Sequence, residues 1–309
     1  MTLQRGGAAL GAAGAPAAGW GAWRRAAKLV LAGAGRHGRW ARWGAYLLLL
    51  GAIALIAFPV YYAFAISTQS MAEAISRPPI LGLSRYLAEN YAQAWMRAKM
   101  GRLLLNSLIV AGTVAAGKIA ISMLSAFAIV YFRFPLRDVV FWMILVTLML
   151  PVPVRIVSTY QVVSELGWLN TYLGLTVPLM ASATATFLLR QFYRTVPREL
   201  AEAAQLDGAG PMRFLGSVLM PLSLPNLAAL FVVLFVYGWN QYLWPVMITM
   251  TEEMRVVVIG IEHLVPRDGT QLPEWNVVMA AAMMALLPPV AVIVLLQRWF
   301  VKGLVQSEK

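Results

Sequence analysis

The segment GTVAAGK, residues Gly112 to Lys118, has the glycine and lysine spacing of a phosphate-binding P-loop. In such a loop, backbone N–H groups bind the phosphates, and a Ser or Thr after the lysine holds Mg²⁺. Here Ile119 follows the lysine, and the flanks form one apolar stretch from Leu103 to Phe132 in which Lys118 is the only charge. The pattern therefore favours a membrane helix with a buried cation over a nucleotide-hydrolysing site.

Lys118 lies near the middle of that stretch, between Arg102 and Arg133, and roughly 22–24 Å of helix separates it from either arginine. A lone lysine at such depth costs about 2.5–3.5 kcal/mol on insertion scales, so we expect it to face a bundle interior or a watered pathway. The predicted spans contain no Asp or Glu. Its counter-charge is therefore expected to be a group of carbonyls, an acid on a partner subunit, or the substrate.

A second cation, Arg155, follows Pro151 and Pro153, which each remove a helix N–H and are expected to break the third span near its outer end. Arginine suits bidentate phosphate binding and lysine acts as a point charge, so two cations along one route suit a phosphorylated solute. The alternative is that Arg155 is an interfacial anchor and that Lys118 pairs with a partner subunit.

The predicted fifth span adds amide and aromatic groups that suit substrate hydroxyls. These are Tyr237, Trp239, Asn240 and Gln241. Aromatic residues at such positions are more often part of the interfacial belt of a membrane protein. Together with Lys118 and Arg155, these four form the candidate substrate pathway.

Composition identifies an integral membrane protein. Of 309 residues, 60% are hydrophobic and 12% charged, with a mean hydropathy of +0.70. Cysteine is absent, and His37 and His263 lie in unrelated polar segments, so neither a disulfide framework nor a metal site is expected. No catalytic Ser/His/Asp, HExxH or paired-carboxylate set lies in or near a span, so no enzyme activity is expected of the chain.

Six apolar segments are long enough to cross a bilayer, so the predicted fold is an all-α, polytopic membrane protein. The predicted spans are 44–66, 103–131, 139–161, 172–192, 222–247 and 277–299. With both termini in the cytoplasm, the inner segments hold 16 basic and five acidic residues, and the outer segments hold eight of each. The net charge of +12 thus indicates topology and does not require nucleic acid as a partner.

Residues 1–43 are predicted to be a basic cytoplasmic tail rich in Ala, Gly and Trp, with a short helix at the lipid surface. The alternative is a basic aromatic arm for nucleic acid. The sequence Ala63-Phe64-Ala65 resembles a signal-peptide cleavage site, but the apolar run before it is too long for a signal peptide. We therefore predict that the first span is an uncleaved anchor and that 44–309 is one six-span permease domain. The outer segments 67–101 and 248–276 are polar enough to contact an external partner.

The predicted cytoplasmic loop 193–221 carries an ordered pattern of residues. We expect a short helix from Arg198 to Leu206 that stops at Asp207-Gly208, followed by a second helical piece that ends at Pro221. Its acidic residues exclude it from the bilayer, and Ala203 and Ala204 provide a flat face for close contact.

This pattern resembles the EAA motif of ABC importer permeases: Glu202-Ala203-Ala204, three residues, Gly208, nine residues, Val218, one residue, then Met220-Pro221. Val and Met stand where that family usually has Ile and Leu. The resemblance implies a coupling helix that docks onto an ATP-binding subunit. The residues that it assigns to coupling are Glu202, Ala203, Ala204, Asp207, Gly208, Met220 and Pro221.

Segments from Leu103 onward, including VYGWNQYLWP and QRWFVKGLVQSEK, resemble the carbohydrate-uptake (maltose-type) branch of these permeases, in particular second permease subunits of sn-glycerol-3-phosphate importers. The resemblance implies type I ABC importer architecture in the bacterial inner membrane. It also implies three partners: a homologous permease, an ATPase dimer that binds ATP and Mg, and an external solute-binding protein. The chain itself then needs no cofactor.

Two other substrate and transport classes remain open. A permease for a neutral oligosaccharide would fit the same branch, but Lys118 would have no evident use in it. A secondary transporter usually carries an intramembrane Asp or Glu for its coupling ion, and the predicted spans contain none.

Overall fold

The structure is a computed structural model that describes residues 39–147, 152–266 and 272–306. Its regular elements are all helices, and no β-strand occurs within these ranges, which confirms the all-α prediction at that level. The chain divides into two compact units, Met1–Tyr61 and Tyr62–Lys309. Of the predicted tail, residues 1–38 lie outside the described ranges.

Helix α1, Arg39–Ser67, contains the first predicted span and carries Pro59 in its interior. The apolar side chains of its first-unit part, such as Leu48 and Ile56, are exposed. A helix that is apolar on all sides is suited to lipid or to contact with other helices.

Two short helices follow in the outer segment, α2 (Met71–Ala74) and α3 (Leu87–Arg97). The start of α2 is closed by a capping box between Ser70 and Glu73, in which each side chain accepts a backbone N–H of the other residue. This segment therefore has its own local order.

Helix α4, Met100–Tyr131, contains the predicted span 103–131. The third predicted span, 139–161, is instead described as two helices, α5 (Arg137–Val146) and α6 (Val152–Glu165). Each is shorter than the roughly 20 residues that a continuous crossing requires. The sequence predicts a proline break at Pro151 and Pro153; Pro151 lies outside the described residues, and Pro153 lies in the first turn of α6.

The fourth predicted span, 172–192, is also broken. It consists of α7 (Tyr172–Thr176), a 3₁₀ turn (Val177–Leu179) and α8 (Ala183–Tyr193), and its two halves meet at 48°. Ser182 caps α8 by accepting the N–H of Ala185 at 3.2 Å.

The loop helix α9 spans Arg198–Leu206 and is followed by α10 (Pro211–Phe214), a π turn (Leu215–Leu219) and α11 (Met220–Trp239). The predicted fifth span, 222–247, is not one continuous helix, because α11 stops at Trp239. The next residues belong to a separate helix, α12 (Leu243–Ile248).

After a 3₁₀ turn (Glu252–Met254), the outer segment 248–276 forms α13 (Val257–Glu262), and α14 (Trp275–Gln306) contains the last predicted span. Among the described residues, four helical stretches are long and apolar enough to cross a membrane, or five if the bent pair counts as one span. They are Trp43–Ser67, Met100–Tyr131, Pro211–Trp239 and Trp275–Trp299, with the bent pair Tyr172–Leu179 and Ala183–Tyr193.

Helix α4 is the centre of the second unit, because α8, α11 and α13 all pack against it. The contact with α11 is close at Gly238, where an added Cβ would lie 3.0 Å from the Cα of Ala111. Small residues at this crossing let the two backbones approach.

We expect Gly238→Val to lower the thermal stability of the detergent-solubilised chain, since overpacking a helix crossing costs about 1–3 kcal/mol. Gly112→Val is the matched control, because Gly112 is also helical and a Cβ there meets nothing within 4 Å. The unfolding midpoint should fall for Gly238→Val alone. Equal midpoints for the two variants would contradict this account of the α4–α11 crossing.

Candidate functional site

The C-terminus of α9 forms at the predicted position and has a definite cause. Gly208 has φ +72°, and its N–H donates to the carbonyl of Gln205 at 3.0 Å. The N–H of Ala209 donates to the carbonyl of Ala204 at 2.8 Å. This pair of bonds is a Schellman motif, which requires a left-handed residue at Gly208 and therefore favours glycine.

One face of α9 packs against its own chain. Ala204 is buried in the main apolar core, beside the C-terminal end of α4 and the aromatic ring of Phe214. The ring of Phe214 lies 5.3 Å from that of Tyr131, between centroids. A cavity of about 240 Å³ remains beneath the helix, between these aromatics and Ala201. Ala204 thus anchors α9, whereas Ala203 faces outward.

The opposite face of α9 is exposed. Glu199, Glu202, Ala203 and Leu206 lie on it at helical spacing, and all four are exposed. Leu206 is 89% exposed, so its apolar side chain is available for contact with another protein. The sequence analysis missed Leu206, although its position seven residues after Glu199 could have identified it as a member of the same face.

Met220 and Pro221 do not end a helix as predicted. The chain continues through them from α10 into α11, and the intervening turn is a π turn in which the Met220 N–H donates to the Leu215 carbonyl. Because Pro221 has no N–H, it removes an i→i−4 bond, and a local widening of the helix accommodates the loss. The predicted break is thus absorbed without ending the helix.

Lys118 is buried on α4, 6% exposed, and its Nζ lies 3.8 Å from the centroid of the Tyr237 ring of α11. This distance defines a cation–π contact. No carboxylate of the described residues lies within ion-pair distance of Lys118. The ring face stabilises the ammonium group but adds no formal negative charge.

Arg155 of α6 adds a second positive charge to the surroundings of Lys118, within electrostatic range of it. The next residue, Ile156, is buried in a second apolar cluster together with Val110 and Val114 of α4. This packing brings α6 to the face of α4 that carries Lys118, so the structure brings together the two cations that the sequence singled out.

The remaining candidate residues of the pathway lie in different environments. Trp239 is buried in the core and stacks on Phe235 with ring centroids 5.7 Å apart, so its described contacts are those of a packing residue. Asn240 is exposed after the end of α11. Gln241 donates its side-chain amide to the carbonyl of Tyr237 at 3.2 Å and so binds a free carbonyl at the helix end.

A group of hydroxyls lies one turn along α4 from Lys118. The hydroxyl of Thr186 of α8 lies 2.9 Å from the carbonyl of Ser182 and 3.2 Å from the hydroxyl of Ser122, and Ser122 donates to the same carbonyl at 3.2 Å. These bonds satisfy every hydroxyl donor in the group, so they join α4 to the broken fourth span. We assign this group a structural role.

Asn106 of α4 joins the outer segments to the helices. Its side-chain amide donates to the carbonyls of Glu253 and Arg255 at 2.7 and 2.8 Å, and its Oδ1 accepts the hydroxyl of Tyr172 at 2.7 Å. A hydrogen bond from Lys99 lowers the pKa of the nearby Glu252 carboxyl. Charges here are thus compensated locally.

An outer cavity of about 350 Å³ lies next to this junction. Its charged lining residues are Arg97, Lys99, Arg102, Glu252, Glu253 and Arg255. Within the described parts of the chain, no group of three or more His, Asp or Glu residues could hold a metal ion.

Several apolar helices, a buried cation and a largely exposed helix before α11 are the features of a polytopic membrane protein. Residues 118–306 match the family described as "Binding-protein-dependent transport system inner membrane component". The chain belongs to this family, and it is a multi-pass protein of the bacterial inner membrane.

Curated relatives agree in name. The sn-glycerol-3-phosphate transport system permease protein UgpE of Rhizobium meliloti is 54% identical over 271 residues, which cover 85% of this chain and 96% of the relative. The proteins of the same name from Brucella melitensis and Yersinia enterocolitica are 53% and 51% identical, with the same shares covered.

A solved structure has the same fold. It is the crystal structure of a bacterial ABC transporter involved in the import of the acidic polysaccharide alginate, with a TM-score of 0.74 and 20% identity. The match covers 86% of this chain and 98% of that chain. At this identity the likeness concerns the fold alone.

We expect Gly208→Ala to loosen α9, because an alanine in the left-handed region costs about 1–2 kcal/mol. A Cβ at Gly208 meets nothing within 4 Å, so backbone strain is the only effect. Amide hydrogen exchange over residues 198–206 should accelerate roughly five- to thirtyfold.

Gly210→Ala is the control, since Gly210 has φ −68° and equally open surroundings. It should leave exchange in α9 unchanged. If both variants exchange at the wild-type rate, the Schellman motif does not limit the stability of α9.

Proposed function

We propose that this chain is a permease subunit of an ATP-driven importer and forms half of the pathway for sn-glycerol-3-phosphate or a related glycerophosphodiester. The names of relatives at 51–54% identity support this substrate class. The observation that carries it is the buried Lys118, which has Arg155 in electrostatic range and no described carboxylate as an ion-pair partner.

Electrostatics favours an anionic solute at this place. Two like charges in a low-dielectric region repel each other, and an anion between them relieves both the repulsion and the lost hydration. A phosphate oxygen can accept from the ammonium of Lys118, and the guanidinium of Arg155 offers a bidentate fork for a second oxygen. A neutral oligosaccharide would leave both charges uncompensated, so we do not favour it.

Tyr237 has a supporting part in this arrangement. Its ring holds the Lys118 ammonium without neutralising it, so the charge stays available to a transient ligand. A carboxylate in the same place would form a permanent ion pair, and the substrate would have to break it. The Gln241 amide, bonded to the Tyr237 carbonyl, keeps that end of α11 in place.

For the topology, we propose six spans with both termini in the cytoplasm. Helices α5 and α6 would together form the third span, and the bent pair around the 3₁₀ turn would form the fourth. This arrangement puts α9 in the cytoplasm and the segments 67–101 and 248–276, the second of which is bonded to Asn106, outside. The excess of basic residues in the inner segments supports it.

The proposed mechanism couples this pathway to ATP through α9. A dimer of ATPase subunits, which bind ATP and Mg, would dock on the exposed face with Glu202, Ala203 and Leu206, while Gly208 holds the end of the helix. Closure of the ATPase dimer would bring α9 and the corresponding helix of a homologous second permease toward each other. An external solute-binding protein would deliver the substrate. This chain would hydrolyse no ATP itself.

We expect Lys118→Met to reduce uptake of sn-glycerol-3-phosphate by roughly 10- to 150-fold, since a charge-assisted contact is worth about 1.5–3 kcal/mol. Insertion should not suffer, because the substitution removes a charge from the apolar stretch. Initial uptake rates should be measured on both sides of half-saturation in proteoliposomes with the complete importer.

The control is Lys99→Met, which makes the same change at an exposed ion pair with Glu252 and should alter uptake little. ATPase activity without substrate should remain in both variants. Wild-type uptake by Lys118→Met would remove the role of Lys118 in substrate passage and favour pairing with the second permease.

We expect Leu206→Ser to uncouple the importer, because burying a leucine at an interface contributes about 1.5–3 kcal/mol. Glu202→Lys, which reverses a charge on the same face, should do likewise. Stimulation of ATPase activity by the loaded binding protein should fall about tenfold or more, whereas Gln205→Ser, on another face of α9, should retain it. Normal stimulation in Leu206→Ser would exclude this face as the docking surface.

A further inference from the structure

Three arginines lie close together where α5 begins and α8 ends, and a fourth, Arg133, lines a groove with one of them, Arg137. Arg133 follows α4, Arg137 begins α5, and Arg190 and Arg194 lie in the last turn of α8 and directly after it. Both Arg137 and Arg194 are within electrostatic range of Arg190. We call these four residues the arginine cluster.

The cluster is not neutralised by the described chain. Asp138 is the only acid in electrostatic range of Arg190 among the described residues, and it lies at the edge of ion-pair distance, 3.8 Å from Arg137. The guanidinium of Arg190 stacks on the ring of Phe141 at 3.8 Å, and its buried Nε has no hydrogen-bond acceptor among the described residues. The cluster therefore retains both net positive charge and unused donors.

The cluster lies at the ends of apolar helices. Helix α4 ends at Tyr131 and α8 at Tyr193, which is the level at which we infer that hydrocarbon gives way to headgroups. Around them, large apolar side chains are exposed, with Leu136 at 71% and Trp142 at 64%. A groove of about 590 Å³ runs along residues 133–139.

We propose that the arginine cluster binds the headgroup of an anionic phospholipid, whose acyl chains cover the apolar side chains beside it. The headgroup phosphate would accept from guanidinium groups of the cluster, Arg190 among them, and Leu136 and Trp142 would contact the chains. A free phosphate would satisfy the guanidiniums but leave these apolar side chains uncovered, so the exposed apolar surface favours a lipid.

This site is separate from the proposed substrate pathway. The cluster lies at the end of α8, whereas Lys118 lies in the interior of α4. A bound lipid would hold the segment that leads from Arg194 to the start of α9 at Arg198. The lipid proposal requires only that the chain lies in a membrane, and it holds whichever solute is transported.

The test is equilibrium binding of phosphatidylglycerol with a fluorescent acyl chain to the purified full-length chain in neutral detergent at low salt. The test variant is Arg137→Gln/Arg194→Gln, which leaves Arg190 and its aromatic contact in place. With roughly 1 kcal/mol for each cation near a lipid surface, binding should weaken about tenfold or more. Unlabelled phosphatidylglycerol should displace the probe, and phosphatidylcholine should not.

The matched control is Arg198→Gln/Arg213→Gln, which removes two exposed cations outside the cluster and should bind the probe as wild type does. Arg190→Lys keeps the charge but loses the planar fork and should weaken binding less than the double variant. If the test and control variants lose lipid binding equally, binding depends only on the net charge of the chain, and the proposed site is wrong. Displacement by inorganic phosphate as effectively as by phosphatidylglycerol would assign the cluster to a soluble anion instead.

Discussion

The packing around α4 governs the rest of the second unit. This helix contacts α8, α11 and α13, and it is also the helix that carries a charge in its middle. Its neighbours must therefore both seal it and accommodate Lys118. Gly238 allows α11 to approach Ala111 closely, and the adjacent Tyr237 is thereby held where its ring meets the lysine ammonium. The close crossing and the cation–π contact depend on the same short segment of α11.

The sequence predicts those features that local chemistry determines. Helix α9 and its end at Gly208 follow from the turn requirement of one residue, and the burial of Lys118 follows from the long apolar run around it. It does not predict features set by tertiary contacts. The π turn before Pro221 and the end of α11 at Trp239 are examples. Both depend on the balance between helix hydrogen bonds and side-chain packing, and hydropathy contains no information on that balance. The exposure of Leu206 depends on which face of α9 Ala204 buries.

Hydrogen bonds from polar side chains hold the outer segments to the helices, whereas apolar packing holds the helices to one another. Outer residues have few neighbours of their own, so their backbone groups need partners from the helices. Asn106 supplies two donors to the 248–276 segment, and Ser107 accepts the N–H of Val257 at 2.7 Å. Asn90 donates to the carbonyls of Ser67 and Gln69 and accepts from Asn276. A few amides thus fix long loops onto the membrane helices.

Under the two proposals, depth in the bilayer distinguishes the two cationic sites. Lys118 is desolvated and buried, so an anion that reaches it must shed its own water, and only a ligand with further contacts along the route compensates for that loss. The arginine cluster lies at the surface, where Arg137 and Arg194 keep access to water and a lipid phosphate stays partly hydrated. A ligand can therefore remain at the cluster, whereas a solute at Lys118 must be bound weakly enough to leave. Passage requires that nothing competes strongly with the solute for Lys118. A fixed carboxylate would compete with the solute, whereas the ring of Tyr237 leaves the ammonium charge available.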